Sequence, residues 1–208
     1  MKSEARWLVE ISGGPWSRLA EAQRAGLPVP NGFTATQNTA EGSIRSAYET
    51  LKQSEHTHFV AARGCSPSQT ELDVLGPDRL ILTMRRFWQE SPETEILVQR
   101  MVHATWCGKA GREGKNLRIR ANQGMRILDP DIYLLNTGTG KCTRRTLYQR
   151  PRKMFRWIDG TSKTEHIEGK RRPLETKFLQ GVADLAGRAQ ADIAWALDDR
   201  GVWLLNML

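Results

Sequence analysis

An α+β chain with mostly antiparallel sheets is the fold class this sequence predicts, and three observations carry it. Apolar residues recur at helical spacing in the N-terminal part and once more near residue 180. Short apolar strands separated by turn residues fill 117–147, and the last sixteen residues read as a hairpin. Helices first and antiparallel strands later do not make a doubly wound parallel sheet.

Taken in order, residues 7–9 are strand-like and are stopped by Ser12-Gly13-Gly14-Pro15. Pro15 suits the first position of a helix and Gly26 its C-terminal cap, which predicts a helix over 16–25. Leu27-Pro28-Val29-Pro30-Asn31-Gly32-Phe33 reads as a rigid extended turn, because proline has no N–H and a fixed φ. With Asn38 as N-cap, Ile44, Ala47, Tyr48 and Leu51 predict an amphipathic helix ending near His56. Residues 59–62 form a strand that delivers Arg63 and Gly64 at its end. After Gly76-Pro77, the set Leu80, Ile81, Met84, Phe87 and Trp88 predicts a further helix, and 96–102 a strand. Leu117, Ile119 and Ala121 alternate, followed by strands at 132–135 and 143–147 around the turn Gly138-Thr139-Gly140-Lys141. Leu174, Phe178, Val182, Leu185 and Ala189 mark the last helix. Strands at 193–197 and 202–205 flank Asp198-Asp199-Arg200-Gly201.

The 208 residues suffice for a core without disulfide or metal staples. No apolar run approaches the ~20 residues of a membrane span, and the first residues carry no secretory pattern, so a cytoplasmic protein is expected. Cys65, Cys107 and Cys142 are odd in number and widely spaced, which argues for reduced thiols rather than a disulfide or zinc framework. The formal charge of +8 is uneven: residues 100–172 hold 18 Lys and Arg against 6 Asp and Glu. Such a segment offers a face to anions, whether nucleotide, phosphorylated small molecule or nucleic acid, or it decorates solvated strands. Trp106 and Trp157 lie in it and suit either core packing or base stacking. Neither a dinucleotide fingerprint, a P-loop nor a Gly-x-Ser-x-Gly elbow is present. His56 and His58 are spaced for a metal only if extended, and more often such a pair is solvated.

Several stretches resemble a known family. These are Gly13-Gly14-Pro15-Trp16-Ser17-Arg18-Leu19-Ala20-Glu21, then Ala25-Gly26-Leu27-Pro28-Val29-Pro30-Asn31-Gly32-Phe33, then Ala61-Ala62-Arg63-Gly64-Cys65 and Thr70-Glu71-Leu72-Asp73-Val74-Leu75-Gly76. Val98-Gln99-Arg100-Met101-Val102, Ile127-Leu128-Asp129-Pro130-Asp131-Ile132-Tyr133, Asp192-Ile193-Ala194-Trp195-Ala196 and Leu205-Asn206-Met207-Leu208 continue the series in order. Together they are similar to the N-terminal nucleotide-binding domain of pyruvate phosphate dikinase and phosphoenolpyruvate synthase. The resemblance implies an ATP-grasp-like fold in two subdomains, set here at 1–90 and 91–208. It also implies ATP and Mg²⁺ as cofactors, Arg63 on phosphate as the catalytic contact, and Gln99, Arg100, Met101 and Val102 as the hinge that receives adenine. Asn206 stands at the metal position.

The departures bear on activity. Pro15 stands where the family has a phosphate-binding lysine, Ala194 where it has a metal-binding glutamate, and Asn206 where it has glutamine. The family's phosphate-binding arginine would follow Leu208, and 63–70 is too short for its glycine-rich loop. The phosphohistidine and pyruvate-binding domains have no room in this length, so a protein partner carrying them is expected if the whole cycle runs. Two functional expectations follow: a nucleotide-binding phosphotransferase or ligase-like enzyme or its nucleotide-binding subunit, and a catalytically inactive pseudoenzyme with a binding or regulatory role. A third, a basic nucleic-acid-binding protein, lacks any recognition signature, and nucleic acid and membrane are not expected partners.

Overall fold

The computed structural model describes residues 2–66, 68–124, 130–147 and 173–208, with the backbone alone at 152–156 and 162–166. The described residues form two units, one of 2–25 with 30–101 and one of 26–29 with the residues from 102 onward. Both are mixtures of helix and antiparallel sheet, the α+β class expected from the pattern.

The first unit runs β1 (Arg6–Trp7), a single 3-10 turn (Leu8–Glu10), α1 (Ser17–Arg24), β2 (Gly32–Ala35), α2 (Glu41–Glu55), β3 (Phe59–Arg63), β4 (Thr70–Leu75), α3 (Pro77–Glu90) and β5 (Ile96–Arg100). Its five-stranded sheet has the order β1-β2-β5-β3-β4, with every pair antiparallel. The stripe Ile44, Ala47, Tyr48 and Leu51 of α2 and the stripe Leu80, Ile81, Met84, Phe87 and Trp88 of α3 pack in one core with Phe33, Val60, Ala62 and Val98. Each Leu, Ile, Val, Met or Phe among them contributes about 1.5–3 kcal/mol by leaving water. Tyr48 joins three pieces of this unit, for its hydroxyl donates to His58 O at 2.7 Å and accepts from Gly76 N at 2.8 Å.

Several boundaries differ from the sequence expectation. The strand expected at 7–9 gives way to the 3-10 turn after Trp7. The residue capping α2 is Ala40, while the Asn38 carbonyl accepts from Ser3 N at 2.9 Å. The segment read as a turn runs into β2 at its end, because Gly32 and Phe33 pair with Gln99 and Val98 of β5. Strand β5 ends at Arg100, leaving Met101 and Val102 beyond it. Strand β4 was not expected; Glu71 and Asp73 obscure its alternation, and Asp73 takes φ +53° beside a register shift in β3.

The second unit contains β6 (Trp106–Glu113), β7 (Asn116–Gln123), β8 (Asp131–Asn136), β9 (Cys142–Thr146), a separate antiparallel pair β10 (Arg152–Arg156) and β11 (Ser162–His166), then α4 (Thr176–Ala189), β12 (Ile193–Asp198) and β13 (Gly201–Met207). Its main sheet has the order β13-β12-β6-β7-β8-β9, again antiparallel throughout. Alternation along the strands sets an apolar face, with Ile119, Ala121, Tyr133, Trp195 and Leu204 buried, against one that carries Lys109, Arg118 and Arg120. Helix α4 turns Leu179, Val182, Leu185 and Ala186 inward. The expected Phe178 is only half-buried, and the Lys177 ammonium lies 4.6 Å from its ring centre. Just before α4, Leu174 N donates to Tyr133 Oη at 3.0 Å, tying that segment to β8. The short run 26–29 also belongs here: Leu204 N donates to Pro28 O at 2.8 Å and Arg188 Nη2 to Gly26 O at 3.1 Å.

Candidate functional site

The first unit brings Arg63 and Gln99 together although they lie far apart in sequence. Strand β5 sits between β2 and β3, so Gln99 is paired with Gly32 on one side and Ala61 on the other. Arg63, at the end of β3, donates from Nη1 to Gln99 Oε1 at 3.0 Å. Gln99 Nε2 donates to Pro30 O at 3.0 Å, so the carboxamide is fixed at both ends. Glycine at 32 is required by this close approach: a Cβ there would lie 2.2 Å from Val98 O and 2.9 Å from Gln99 Cγ. Burial pushes the Arg63 guanidinium down to about 10, which still leaves it charged at neutral pH. The result is a cation held in a set direction at a strand end.

Arg100 faces a different set of groups. Its side chain is 5 % exposed and its Nε lies 3.3 Å from Glu55 Oε2, at the end of α2. Asn31 Nδ2 donates to the other Glu55 oxygen, and Asn31 O accepts from Arg100 N at 2.9 Å. Met101 N donates to Phe59 O at 3.1 Å, while Val102 O accepts from Ala104 N at 2.9 Å in the second unit. The loop between β3 and β4 is as short as the sequence indicates. It closes on buried Gln69, whose backbone O accepts from Gly64 N at 2.7 Å and whose Nε2 donates to Phe87 O at 3.1 Å.

The second unit holds the expected metal position on the polar face of its sheet. Asn206, Ala194 and Lys109 stand side by side across β13, β12 and β6, and Arg120 follows on β7. Asn206 Oδ1 accepts from Met207 N at 2.9 Å, Ala194 has no donor, and the next group is a cation. Mg²⁺ takes an octahedron of oxygens and generally a carboxylate, so this row does not fit it. The other carboxylates are not gathered here. Asp131 is fully buried on β8, and Asp198 accepts from Arg200 N and Trp203 Nε1 in the final turn. Asp192 precedes β12 and accepts from Arg112 N at 3.2 Å, and Asp129 lies outside the described residues. Among the described residues no group of three or more His, Cys, Asp or Glu is placed for a metal ion. His56 closes α2 in the left-handed region at φ +49°, which breaks the extended spacing a His56–His58 pair would need.

Sequence reasoning did not single out the basic residues of this face. Lys109, Arg118 and Arg120, with Gly111 and Asp192, line a cavity of about 360 Å³. A period-two reading of 117–121, with Arg118 and Arg120 between Leu117, Ile119 and Ala121, contains that signal. A larger cavity of about 990 Å³ beside α4 is bordered by groups already engaged: Gln180 Nε2 donates to Asp184 and Arg188 to Gly26 O. Trp106 is buried in β6 and thus packs rather than presents a ring, and Trp157 lies outside the described residues.

Among the described residues no helix is long and apolar enough to cross a membrane. The three cysteines are free, with Cys65 and Cys142 exposed and Cys107 buried. Burial pushes the Cys107 thiol up to about 12. Two thiols are therefore expected to react with a maleimide at pH 7.5 and the third only after denaturation; fast labelling of all three would contradict this. Because the unfolded thiol ionises near 9 and the folded one near 12, stability falls as pH rises through that window, and Cys107→Ala removes this part of the fall.

Both units together are similar to solved structures of ligases. A D-alanine–D-alanine ligase from Bacillus anthracis matches at TM-score 0.51 and 10% identity, over 91% of this chain and 53% of that one. The VanG D-Ala:D-Ser ligase from Enterococcus faecalis matches at 0.50 and 12%, over 91% and 49%. The D-alanine–D-alanine ligase from Coxiella burnetii matches at 0.50 and 10%, over 92% and 45%. The chain spans about half the length of these structures. No protein-family model matches the sequence, and no curated protein matches it significantly. The likeness shows the fold: this chain has an ATP-grasp-like α+β fold built on antiparallel sheets.

Proposed function

We propose that the chain binds ATP as the nucleotide-binding part of a ligase-like ATP-grasp enzyme. In this reading Arg63 contacts phosphate and the segment Gln99, Arg100, Met101 and Val102 receives the adenine. The observation that carries it is the Arg63–Gln99 contact at 3.0 Å, which orients a charged guanidinium toward one end of β3. A guanidinium offers five donors in a planar fork suited to phosphate oxygens. The ligases among the similar structures favour a ligase-like use of the nucleotide over a kinase-like one. The narrower relation to the pyruvate phosphate dikinase family belongs to this proposal and rests on the segments around residues 25–33, 61–76 and 98–102. A protein partner supplying further catalytic domains belongs to it as well.

A second reading, a pseudoenzyme that binds without turnover, is favoured by one observation: the row Asn206–Ala194–Lys109 has no carboxylate for a catalytic metal. Isothermal titration tests the first reading. ATP is expected to bind the wild-type chain, and Arg63→Ala to weaken it by about ten- to a hundredfold, the usual loss for a charge-assisted hydrogen bond. Absence of binding up to the millimolar range sinks the nucleotide reading. Release of phosphate from ATP by the wild type, abolished in Arg63→Ala, decides against the pseudoenzyme.

A further inference from the structure

Gln99 stands where β2, β5 and β3 run side by side, and its carboxamide is engaged entirely within the first unit. Ala61 of β3 lies directly opposite it, so Arg63, two residues on, is its diagonal neighbour on the same face of the sheet. Gly32 of β2 lies opposite on the other side, where a Cβ would stand 2.9 Å from Gln99 Cγ, so the side chain keeps its place only over a glycine. Oε1 accepts from Arg63 Nη1 at 3.0 Å, and Nε2 donates to Pro30 O at 3.0 Å. These two bonds need an acceptor on one edge and a donor on the other, which an amide has and a carboxylate lacks. The residue is 1 % exposed, so neither edge is turned outward. Arg63 is secured separately at its backbone. It pairs with Leu97 and Thr70, and Gly64 N, next in the chain, donates to Gln69 O at 2.7 Å. Gln69 is held in turn by Phe87 O. The ladder thus sets where the arginine starts, and Gln99 sets where its guanidinium ends.

A guanidinium on a long side chain gives up rotamer freedom when an anion immobilises it, and one already held gives up less. A neutral amide also holds it without cancelling its charge, as a carboxylate would. We infer that Gln99 is the positioning residue of Arg63: it aims the guanidinium at an anion, and its side chain does not receive the base. The inference rests on the nucleotide reading above, moves the Gln99 side chain from the adenine segment to the phosphate end of that site, and stays within one unit. It also gives the amide a reason. A carboxylate at this position would set one oxygen against Pro30 O and pair the other with Arg63, which misplaces the group and masks the charge offered to phosphate.

The test is titration of the whole chain with ATP and with inorganic tripolyphosphate, which carries phosphates and no base. The variants are Arg63→Ala, Gln99→Met, the two combined, and Gln99→Glu. Gln99→Met is expected to lose about tenfold or more for both ligands, and to lose little further once Arg63 is alanine. In Gln99→Glu the affinity relative to wild type is expected to rise about tenfold as pH falls from about 8.5 to about 5. Once protonated, the introduced carboxyl again accepts from Arg63 and donates to Pro30 O, as the amide does. A side chain that only fills space gives no such recovery, and this measurement stands even where Gln99→Met fails to fold. Wild-type affinity in Gln99→Met, a loss for ATP alone, or an equal loss with and without Arg63 overturns the inference and leaves the nucleotide reading standing. So does an affinity of Gln99→Glu that stays low at pH 5. Tripolyphosphate bound through Arg63 and Gln99, with no ATP bound, upholds the inference and overturns the nucleotide reading. Absence of both ligands overturns both.

Discussion

Glu55→Ala is expected to destabilise the first unit by about 3–5 kcal/mol, the usual cost of removing one partner from a buried ion pair. The side chains of Arg100 and Glu55 are 5 % and 12 % exposed, so water does little to screen or replace the lost carboxylate. Glu55 also receives Asn31 Nδ2, and Asn31 O receives Arg100 N, so the change loosens the entry to β2 and the end of β5 together. Glu55→Gln keeps an acceptor for Asn31 and should lose less. A double replacement of Glu55 and Arg100 by apolar residues should recover much of the loss, since it leaves no buried charge behind. Urea unfolding measures all three; a loss below about 1 kcal/mol in Glu55→Ala would show that the pair is dispensable.

Gly108→Ala is expected to cost about 3 kcal/mol or more and to reach the whole second sheet. Gly108 lies on β6 opposite Ala121 of β7 and Trp195 of β12. A Cβ at this position would stand 1.8 Å from Arg120 O and 3.1 Å from Trp195 Cζ2. The backbone oxygen cannot rotate away, and the indole is fully buried, so β7 has to move or Trp195 has to leave its site. Trp195 is therefore also the reporter: its fluorescence should shift to longer wavelength in Gly108→Ala as the ring becomes solvated. A variant with unchanged emission and unchanged unfolding midpoint would show that the strands yield more readily than close packing allows.

Helices α2 and α3 and the hairpin β12–β13 were legible in the sequence because each announces itself within a short window. Ile44, Ala47, Tyr48 and Leu51 mark one helix face, and Gly76-Pro77 opens the next. Strand β6 was not legible, for Gly108 and Gly111 look like turn residues when read locally. Their real cause is the absence of room beside Arg120 O on β7 and beside Asp192, which directly precedes β12. The same limit applies to the site. Arg63 was singled out by its neighbours in sequence, but its contact with Gln99 depends on β5 lying between β2 and β3. The basic excess over 100–172 was plain, yet counting charges could not reveal that Lys109 faces Arg120, since only register sets cross-strand partners.

Residues 26–29 belong to the second unit although they lie between α1 and β2 of the first. A cut at the junction of Met101 and Val102 therefore does not yield two complete pieces: the C-terminal one would lack the Pro28 carbonyl that takes Leu204 N and the Gly26 carbonyl that takes Arg188. During synthesis the order is equally constrained. The earliest part of the second unit leaves the ribosome before most of the first has been made, and it must wait for α4 and β13, which with β12 between them follow every other element of the two units, before those two bonds can form. The two units are thus sewn together along the chain, and neither inherits an uninterrupted stretch of sequence that a gene fusion or truncation could transfer intact.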